Sequence, residues 1–199
     1  MLDLAHRIAA VPWVYESIQY VMGFRHSRQH IAQQVTALSG RGLVLDVGGG
    51  TGLWRVLWPP TYAYLCLDID PQKIAGFRAA HADPAILGDA TQLPLADQRL
   101  DVVVCIAVSH HLTTPLFERL LAETARVLKP QGTFLFLDAV WSPNRLPSRL
   151  LWALDRGSYP RTAQTLEQAL RQHFDVRHSE QYALYHRYLL ATCQKAVLE

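Results

Sequence analysis

An acidic residue and a cluster of glycines follow an apolar run in the segment Leu45-Asp46-Val47-Gly48-Gly49-Gly50-Thr51-Gly52. Glycines let the backbone turn sharply and let a ligand approach the main chain, and the amides at the start of a following helix then face that ligand. The next residues, LWRVLW (53–58), predict such a helix. The segment therefore predicts a strand, a loop and a helix that together bind a small ligand. The dinucleotide fingerprint G-x-G-x-x-G fits less well, because Leu53 stands where its third glycine belongs.

Two histidines suited to proton transfer follow the β-branched run 101–108, in the segment Val108-Ser109-His110-His111-Leu112. Histidine has an ordinary pKa suited to removing a proton at neutral pH, and open α/β sheets bind their ligands at the carboxyl ends of strands. Adjacent residues do not easily face the same pocket, so we expect one of the two at most to act as a base. The alternative is that both histidines cap or pack the following helix.

Other residues with potential metal or thiol chemistry favour structural roles. His26 and His30 have the i, i+4 spacing of a metal pair, but their neighbours include arginines and no third ligand is evident. A solvated helix face is therefore the preferred interpretation, and no metal site is expected. The cysteines all lie in apolar runs, which predicts buried, reduced thiols in a cytoplasmic protein. They are Cys66, Cys105 and Cys193.

The elements that must position these residues alternate in type along the chain. Short apolar runs predict buried parallel strands over 43–47, 62–67, 85–88, 101–108 and 133–139, followed by a hairpin of 174–179 and 186–193. Helices are predicted over 2–38, in two or three pieces divided at Pro12 and Gly23, from Asp70-Pro71 to about residue 80, from Thr114-Pro115 to the stop at Lys129-Pro130-Gln131-Gly132, and from Thr162 to about residue 172. This alternation predicts a doubly wound α/β sheet with right-handed crossovers.

Length and composition limit the class of protein. A chain of 199 residues suggests one domain, and 50% hydrophobic against 18% charged residues excludes intrinsic disorder. The net charge of +2 argues against nucleic acid as an obligatory partner. No run is long and apolar enough to span a membrane, and the N-terminus lacks the basic start and unbroken apolar run of a signal peptide. We therefore expect a cytoplasmic protein.

The segment from Asp46 to Gly52 resembles the first motif of the class I S-adenosylmethionine-dependent methyltransferases, an acidic residue followed by G-x-G-x-G. The stretches LPLADQRLDVVVC and RVLKPQGTFLF resemble the family's fourth and fifth strands with the segments before them. The resemblance covers about residue 40 to the C-terminus and favours the type 11-like, small-molecule members. It implies S-adenosylmethionine as cofactor and a seven-stranded Rossmann-like sheet, mostly parallel with the last strand antiparallel, plus N-terminal lid helices.

The resemblance also implies a set of cofactor contacts. Asp46 is expected to help position the ammonium of the cofactor's methionine part. A second acidic residue at the end of the second strand is expected to accept hydrogen bonds from the ribose hydroxyls. The full set is Asp46, Gly48, Gly50, Thr51, Gly52, Asp68, Ile69, Asp89, Ala90 and Ile106.

The nucleoside contacts depend on three short segments. Asp68 is the ribose candidate, and its competitor Asp70 stands before a proline, which favours a helix cap. Ile69 is expected to offer an apolar surface to the adenine. In the segment Gly88-Asp89-Ala90, the resemblance implies that Asp89 accepts from the adenine amino group and that the Ala90 amide meets the ring. Taken in isolation, the same segment is typical of a surface turn.

The resemblance implies methyl transfer, in which the main task of the protein is to align donor and acceptor. Family members with small acceptors often carry a histidine before a leucine at the position of His111, which is therefore preferred over His110 as a base. Family members that methylate planar amide or base nitrogens often carry an Asn/Asp-Pro-Pro-Tyr motif after the fourth strand, and this sequence has none there. Cys105 lies inside that strand, which favours a packing role over that of a nucleophile. We expect a small, partly hydrophobic acceptor. A non-catalytic cofactor-binding partner subunit, an RNA methyltransferase and an NAD-dependent oxidoreductase are the alternatives.

Two segments are expected to cover the acceptor. The domain interpretation is a helical lid over 1–40 and a cofactor-binding domain over 41–199, with a lid insertion at 141–161. That insertion is rich in Arg, Trp and Leu, a composition that fits peripheral contact with a lipid surface or closure over an apolar substrate. An ordinary lid helix with its tryptophans in the core is the preferred interpretation.

Overall fold

The computed structural model describes residues 25–38, 40–146, 148, 149, 152, 159–184 and 186–195. These residues form helices on both faces of one sheet. In chain order the elements are α1 (Arg25–Ala37), β1 (Gly42–Val47), β2 (Tyr62–Asp68), α2 (Pro71–Ala80), β3 (Ala85–Leu87), β4 (Leu100–Ile106), α3 (Thr114–Val127), β5 (Leu128–Val140), α4 (Ala163–His173), β6 (Phe174–Ala183) and β7 (Arg187–Lys195).

The sheet has seven strands in the order β3-β2-β1-β4-β5-β7-β6. The first five strands pair in parallel, and β7 runs antiparallel to both β5 and β6. This confirms the doubly wound, Rossmann-like architecture with an antiparallel last strand. The strand order reverses between β1 and β4, and such a switch point creates a crevice at the carboxyl ends of the strands where ligands bind. The glycine loop and the two adjacent histidines both follow strands at this crevice.

Each face of the sheet has its own core. Helices α1 and α2 cover one face, where Ile31, Val35 and Phe77 pack with Val44 and Tyr64 of the strands. Helices α3 and α4 cover the other face with a second apolar cluster. The central strands carry buried side chains toward both faces, which explains why their sequences are unbroken apolar runs rather than alternating ones. The three cysteines are buried and free, as the sequence predicts.

Local signals predicted most helix starts but not all of them. The Asp70 carboxylate caps α2 by accepting from the Gln72 amide at 2.8 Å, and the Thr162 hydroxyl accepts from the Thr165 amide to cap α4. At α3 the prediction is wrong by one position, because the N-cap is Thr113 and its side chain makes no capping hydrogen bond. The helix predicted over 53–58 is a single 3-10 turn, Arg55–Leu57.

The predicted lids lie partly outside the described residues. Of the N-terminal segment 1–40, α1 is a helix on the sheet face, and residues 1–24 lie outside the described part. Of the insertion 141–161, the buried residues Ser148, Trp152 and Arg161 are described. Within the described ranges, no helix has the length and apolar character needed to cross a membrane.

Candidate functional site

The glycine loop follows β1 and takes backbone conformations that favour glycine. The φ angles are +71° at Gly48, +58° at Gly50 and +88° at Gly52. A Cβ added to Gly48 would overlap Cγ2 of Val108, and one added to Gly52 would lie 2.7 Å from the Phe77 ring. The loop therefore needs glycine both for its turns and for its close contacts with the segment after β4 and with α2.

Asp68, the predicted ribose ligand, faces this loop from the end of β2. Its Oδ2 accepts from the Gly50 amide and its Oδ1 accepts from the Asp70 amide, both at 2.9 Å. Asp68 is 4% exposed, and Lys73 Nζ lies 4.0 Å from Oδ2. Each carboxylate oxygen has a second lone pair, so the amides that orient Asp68 leave acceptor capacity for hydroxyl groups. Asp70 is the helix cap, in agreement with the prediction.

Asp46 is buried beneath the glycine loop and accepts a hydrogen bond from the Tyr64 hydroxyl. Burial raises the pKa of Asp46 to about 7, because it outweighs the lowering by the Tyr64 hydrogen bond, and the nearby Asp68 adds a smaller rise. A carboxylate in this state gains stability from any cation that comes near it. This fits the expected role of Asp46 toward an ammonium group.

Apolar side chains stand exposed at the ends of the two strands beside the loop. Ile69 is 71% exposed and Leu87 is 54% exposed, and Leu87 is the register partner of Asp68, the residue that precedes Ile69. Exposed apolar surface beside a carboxylate fits a nucleoside, in which a flat heterocycle adjoins ribose hydroxyls. Leu87 has no place in the sequence prediction, because its three-residue strand carries no signal for ligand contact.

Asp89 and its neighbour Ala90 come shortly after β3, at the same edge of the sheet as Asp68. Asp89 is exposed, and its Oδ1 accepts from both the amide and the hydroxyl of Thr91, at 2.7 and 2.8 Å. This is the turn geometry expected of the segment in isolation, and it fixes the orientation of the carboxylate. Contact of either residue with an adenine ring stays a prediction.

The remaining predicted contacts are more deeply buried. Thr51 is 5% exposed, and its carbonyl oxygen lies 3.2 Å from Nε2 of His81, the residue that follows α2. Ile106, the last residue of β4, is 7% exposed and belongs to the core on the α1 and α2 face. Their contact with a cofactor stays a prediction. The set as a whole fits a ligand that combines a cationic group, ribose and adenine.

A buried histidine and aspartate meet at the carboxyl ends of β4 and β5. His110 Nδ1 lies 2.5 Å from Asp138 Oδ1, and the Asp138 carboxylate also accepts from the Ser109 hydroxyl at 2.5 Å. The amides of His110 and Ala139 donate to the same carboxylate. Burial alone would raise the pKa of Asp138, but attraction to His110 and these hydrogen bonds outweigh it and leave the pKa below its ordinary value.

Arg161, the last residue of the insertion 141–161, binds the backbone of the segment that carries the two histidines. Arg161 is buried, and its guanidinium donates to the carbonyls of Ser109 and Leu112, both at 2.8 Å. Burial lowers the pKa of this arginine. The Tyr159 amide donates to the His110 carbonyl at 3.1 Å. The 3-10 turn Ser109–His111 is thus tied both to β5 and to the end of the insertion.

The two histidines differ in their surroundings. His110 is 7% exposed and hydrogen-bonded to Asp138, whereas His111 is exposed, with the two ring centroids 4.1 Å apart. A base role for either one stays a prediction, but the carboxylate partner belongs to His110. Sequence reasoning preferred His111 and missed Asp138. The available signal was an aspartate inside the apolar run TFLFLDA, because a buried carboxylate requires a hydrogen-bonding partner.

The histidine pair on α1 contacts the sheet edge. His30 Nδ1 lies 3.0 Å from Glu180 Oε1, and the His30 ring stacks on Tyr182 at 4.1 Å. His26 Nε2 lies 3.4 Å from His30 Nε2. Across the part of the chain that the structure describes, no cluster of three or more His, Cys, Asp or Glu side chains has the arrangement of a metal site. These histidines therefore join α1 to β6.

Known proteins resemble this chain in sequence and in fold. Residues 45–136 match a family model described as a methyltransferase domain. The N-methyltransferase NodS from Bradyrhizobium japonicum WM9, solved in complex with S-adenosyl-L-homocysteine, has the same fold, with a TM-score of 0.70 at 17% identity over 86% of this chain and 87% of that one. Residues 45–136 are a methyltransferase domain. The fold that the glycine motif implied is thereby confirmed.

Curated relatives that match this chain are named as methyltransferases of phthiotriol dimycocerosates and of fatty acids. The phthiotriol/phenolphthiotriol dimycocerosates methyltransferase 1 of Mycobacterium ulcerans is 33% identical over 151 residues, which cover 67% of this chain and 54% of the relative. The fatty-acid O-methyltransferase of Mycolicibacterium smegmatis is 39% identical over 102 residues, which cover 48% of this chain and 36% of the relative. This chain therefore spans about half of the first relative's length and about a third of the second's.

Proposed function

We propose that this protein transfers the methyl group of S-adenosylmethionine to a small, lipophilic acceptor, with His110 as the general base. The cofactor supplies an electrophilic methyl group bound to a sulfonium. The observation that carries the proposal is the buried His110–Asp138 pair. His110 comes two residues after Val108, whose side chain fills the space that a Cβ on Gly48 of the glycine loop would need. A proton acceptor thus stands beside the loop expected to hold the methyl donor.

Residues of this chain would hold the cofactor in three ways. Asp46 would face its ammonium, whose positive charge would favour the ionised carboxylate that burial disfavours. Asp68, fixed by two backbone amides, would accept hydrogen bonds from the ribose hydroxyls. Ile69 and Leu87 would cover the adenine, because their exposed side chains would lose contact with water on binding.

His110 would remove the proton of the acceptor as the methyl group is transferred. Asp138 is the positioning residue, since it accepts the Nδ1–H and therefore makes Nε2 the basic nitrogen of the neutral ring. The Asp138 carboxylate, whose pKa is lowered by attraction to His110 and by its hydrogen bonds, would stabilise the imidazolium that forms. Such general-base assistance contributes about 10²- to 10⁴-fold.

A lipophilic acceptor is supported by the relatives and by the surroundings of His110. The named relatives act on phthiotriol dimycocerosates and on fatty acids. The Trp152 ring meets His110 at a centroid distance of 5.6 Å, and Leu146 and Tyr159 are exposed near the two ends of the insertion. An apolar chain bound here gains about 0.8 kcal/mol for each methylene that leaves water.

The test is a methyl-transfer assay with S-adenosylmethionine and medium-chain acceptors, run on the wild type and on His110→Gln, Asp138→Asn and His111→Gln. We expect His110→Gln to lower kcat by about 10²-fold or more while the affinity for S-adenosylhomocysteine stays within a factor of two to three, on the order of 0.5 kcal/mol. Asp138→Asn should lower kcat and also move the acid limb of the pH profile to lower pH, because the charge that stabilises the imidazolium is lost.

His111→Gln is the matched comparison, since it alters the neighbouring imidazole. The proposal predicts a smaller loss there than in His110→Gln. A larger loss in His111→Gln would support the expectation from family resemblance and contradict the role given to His110. A wild type that binds the cofactor and methylates nothing would instead favour a cofactor-binding partner subunit.

A further inference from the structure

Trp152 is a buried indole between two histidines at the edge of the His110 site. The residue is 8% exposed. The ring meets His110 edge-on at a centroid distance of 5.6 Å and His186 edge-on at 5.0 Å. Among the described residues, its Nε1–H donor is buried and has no hydrogen-bond partner. A donor in this state is unfavourable, and most such groups in folded proteins have an acceptor.

The surroundings of the indole are polar as well as buried. Ser148 is fully buried and His186 is 4% exposed, and Ser148 Oγ lies 3.2 Å from His186 Nδ1. His186 comes just before β7, whereas Ser148 and Trp152 belong to the insertion after β5. Two separate segments thus bring polar groups together beside His110. A few buried polar groups at fixed positions are how a binding site sets the orientation of a ligand atom.

We infer that Trp152 Nε1–H donates to the atom that receives the methyl group, and that this atom is an oxygen. The inference rests on the proposed function and names its acceptor class, an alcohol or a carboxylic acid. An oxygen has at least two lone pairs, so it can accept from the indole with one and attack with another. A neutral amine has a single lone pair, and using it for the hydrogen bond prevents attack.

The transfer balances for both oxygen acceptors. One lone pair of the oxygen forms the new O–CH₃ bond while the C–S bond of the sulfonium breaks, and the sulfur leaves as a neutral thioether. With an alcohol, the hydroxyl proton passes to His110. A carboxylate arrives without a proton and needs no base, so Trp152 matters for both acceptors and His110 matters more for the alcohol.

Indole NMR of the protein saturated with S-adenosylhomocysteine tests the contact directly. The five tryptophans give separate indole N–H signals, and Trp152→Phe identifies the relevant one. We expect 1-decanol and decanoate to move this signal downfield, as a new hydrogen bond does, and decylamine to leave it in place. Trp58→Phe identifies a control signal that should not respond, because Trp58 is buried in the core on the α1 face and packs against Tyr62 at 5.3 Å.

Titrations of the same proteins give the size of the effect. Trp152→Phe should bind 1-decanol and decanoate about 10- to 100-fold more weakly than the wild type, while Trp58→Phe keeps the wild-type affinity. Equal affinity in Trp152→Phe, an unmoved Trp152 signal, or no binding of either oxygen compound by the wild type would each overturn the inference.

The outcomes also separate this inference from the proposed function. A wild type that binds 1-decanol through Trp152 but methylates nothing supports the contact and contradicts the proposed activity. Methylation of decylamine as fast as of 1-decanol supports a methyltransferase and overturns the choice of oxygen.

Discussion

Replacing Asp46 by asparagine should remove a pH dependence from the stability of this protein. Asp46 is 1% exposed, and burial raises its pKa from 3.8 to about 7. The unfolded chain has the ordinary pKa, so between pH 4 and 7 the folded state holds a proton that the unfolded state has lost. Stability therefore falls as pH rises through this range. An asparagine side chain has no acidic proton to lose, and its amide oxygen can still accept from the Tyr64 hydroxyl.

The size of the effect follows from the two pKa values. A rise from 3.8 to about 7, at about 1.4 kcal/mol for each pKa unit, makes the ionised carboxylate cost about 4 kcal/mol in the folded state. Between pH 5 and pH 8, about 2 to 3 kcal/mol of this cost develops. The free energy of unfolding of Asp46→Asn, relative to wild type, should therefore increase by that amount from pH 5 to pH 8.

Urea unfolding followed by tryptophan fluorescence measures this difference at pH 5, 6, 7 and 8. Taking the difference between variant and wild type at each pH cancels the contributions of all other groups. Asp101→Asn is the matched control. Burial would raise the pKa of Asp101, but Lys129 at 2.7 Å and the Leu43 amide lower it overall. Asp101 is thus ionised from pH 5 to 8 in both states.

Two results would contradict the raised pKa of Asp46. If the difference between Asp46→Asn and wild type were the same at pH 5 and pH 8, Asp46 would not be protonated in the folded protein. A difference that appeared equally in Asp101→Asn would mean that any added amide changes the pH profile. Either result would remove the electrostatic argument for Asp46 as the partner of a cation.

Three further outcomes are expected. The affinity for S-adenosylhomocysteine, measured by calorimetry, should rise from pH 6 to pH 8 in the wild type as Asp46 ionises and should stay constant in Asp46→Asn; a constant wild-type affinity would count against that contact. Asp68→Asn should weaken the same binding by about 10- to 100-fold with an unchanged circular dichroism spectrum, whereas unchanged affinity would remove Asp68 from the site. Gly52→Ala should lower the free energy of unfolding, measured in urea, by at least about 2 kcal/mol, because φ is +88° and the new methyl would lie 2.7 Å from the Phe77 ring. Gly88→Ala is the control and should lower it less, because the nearest atom to its new methyl lies at 3.2 Å. Equal losses in the two variants would contradict this explanation.

The sheet could be predicted from the sequence because buried parallel strands and capped helices leave strong local patterns. The runs that became β1, β2 and β4 are apolar on both faces, and the caps at Asp70 and Thr162 are local hydrogen bonds. The segment 53–58 has helical composition but forms a 3-10 turn, because Pro59 and Pro60 follow directly and the chain must reach β2 at Tyr62. Local propensity does not contain that distance requirement.

The site was only partly predictable, for a similar reason. Asp68 stands in a motif whose spacing is fixed by one strand and one loop. The partner of His110, by contrast, is Asp138, 28 residues away on the next strand, and Trp152 approaches from the insertion. Contacts between segments depend on strand register and on how the insertion folds back. The sequence shows the residue types but not which of two adjacent histidines turns inward.

Calorimetric titration of the purified protein with S-adenosylmethionine, S-adenosylhomocysteine and NADH tests the central claim most directly. The geometry of the glycine loop, Asp46 and Asp68 predicts that both sulfur compounds bind with one molecule per chain and that NADH does not bind. Binding of NADH in their place, or of none of the three, would contradict the assignment of this site to S-adenosylmethionine.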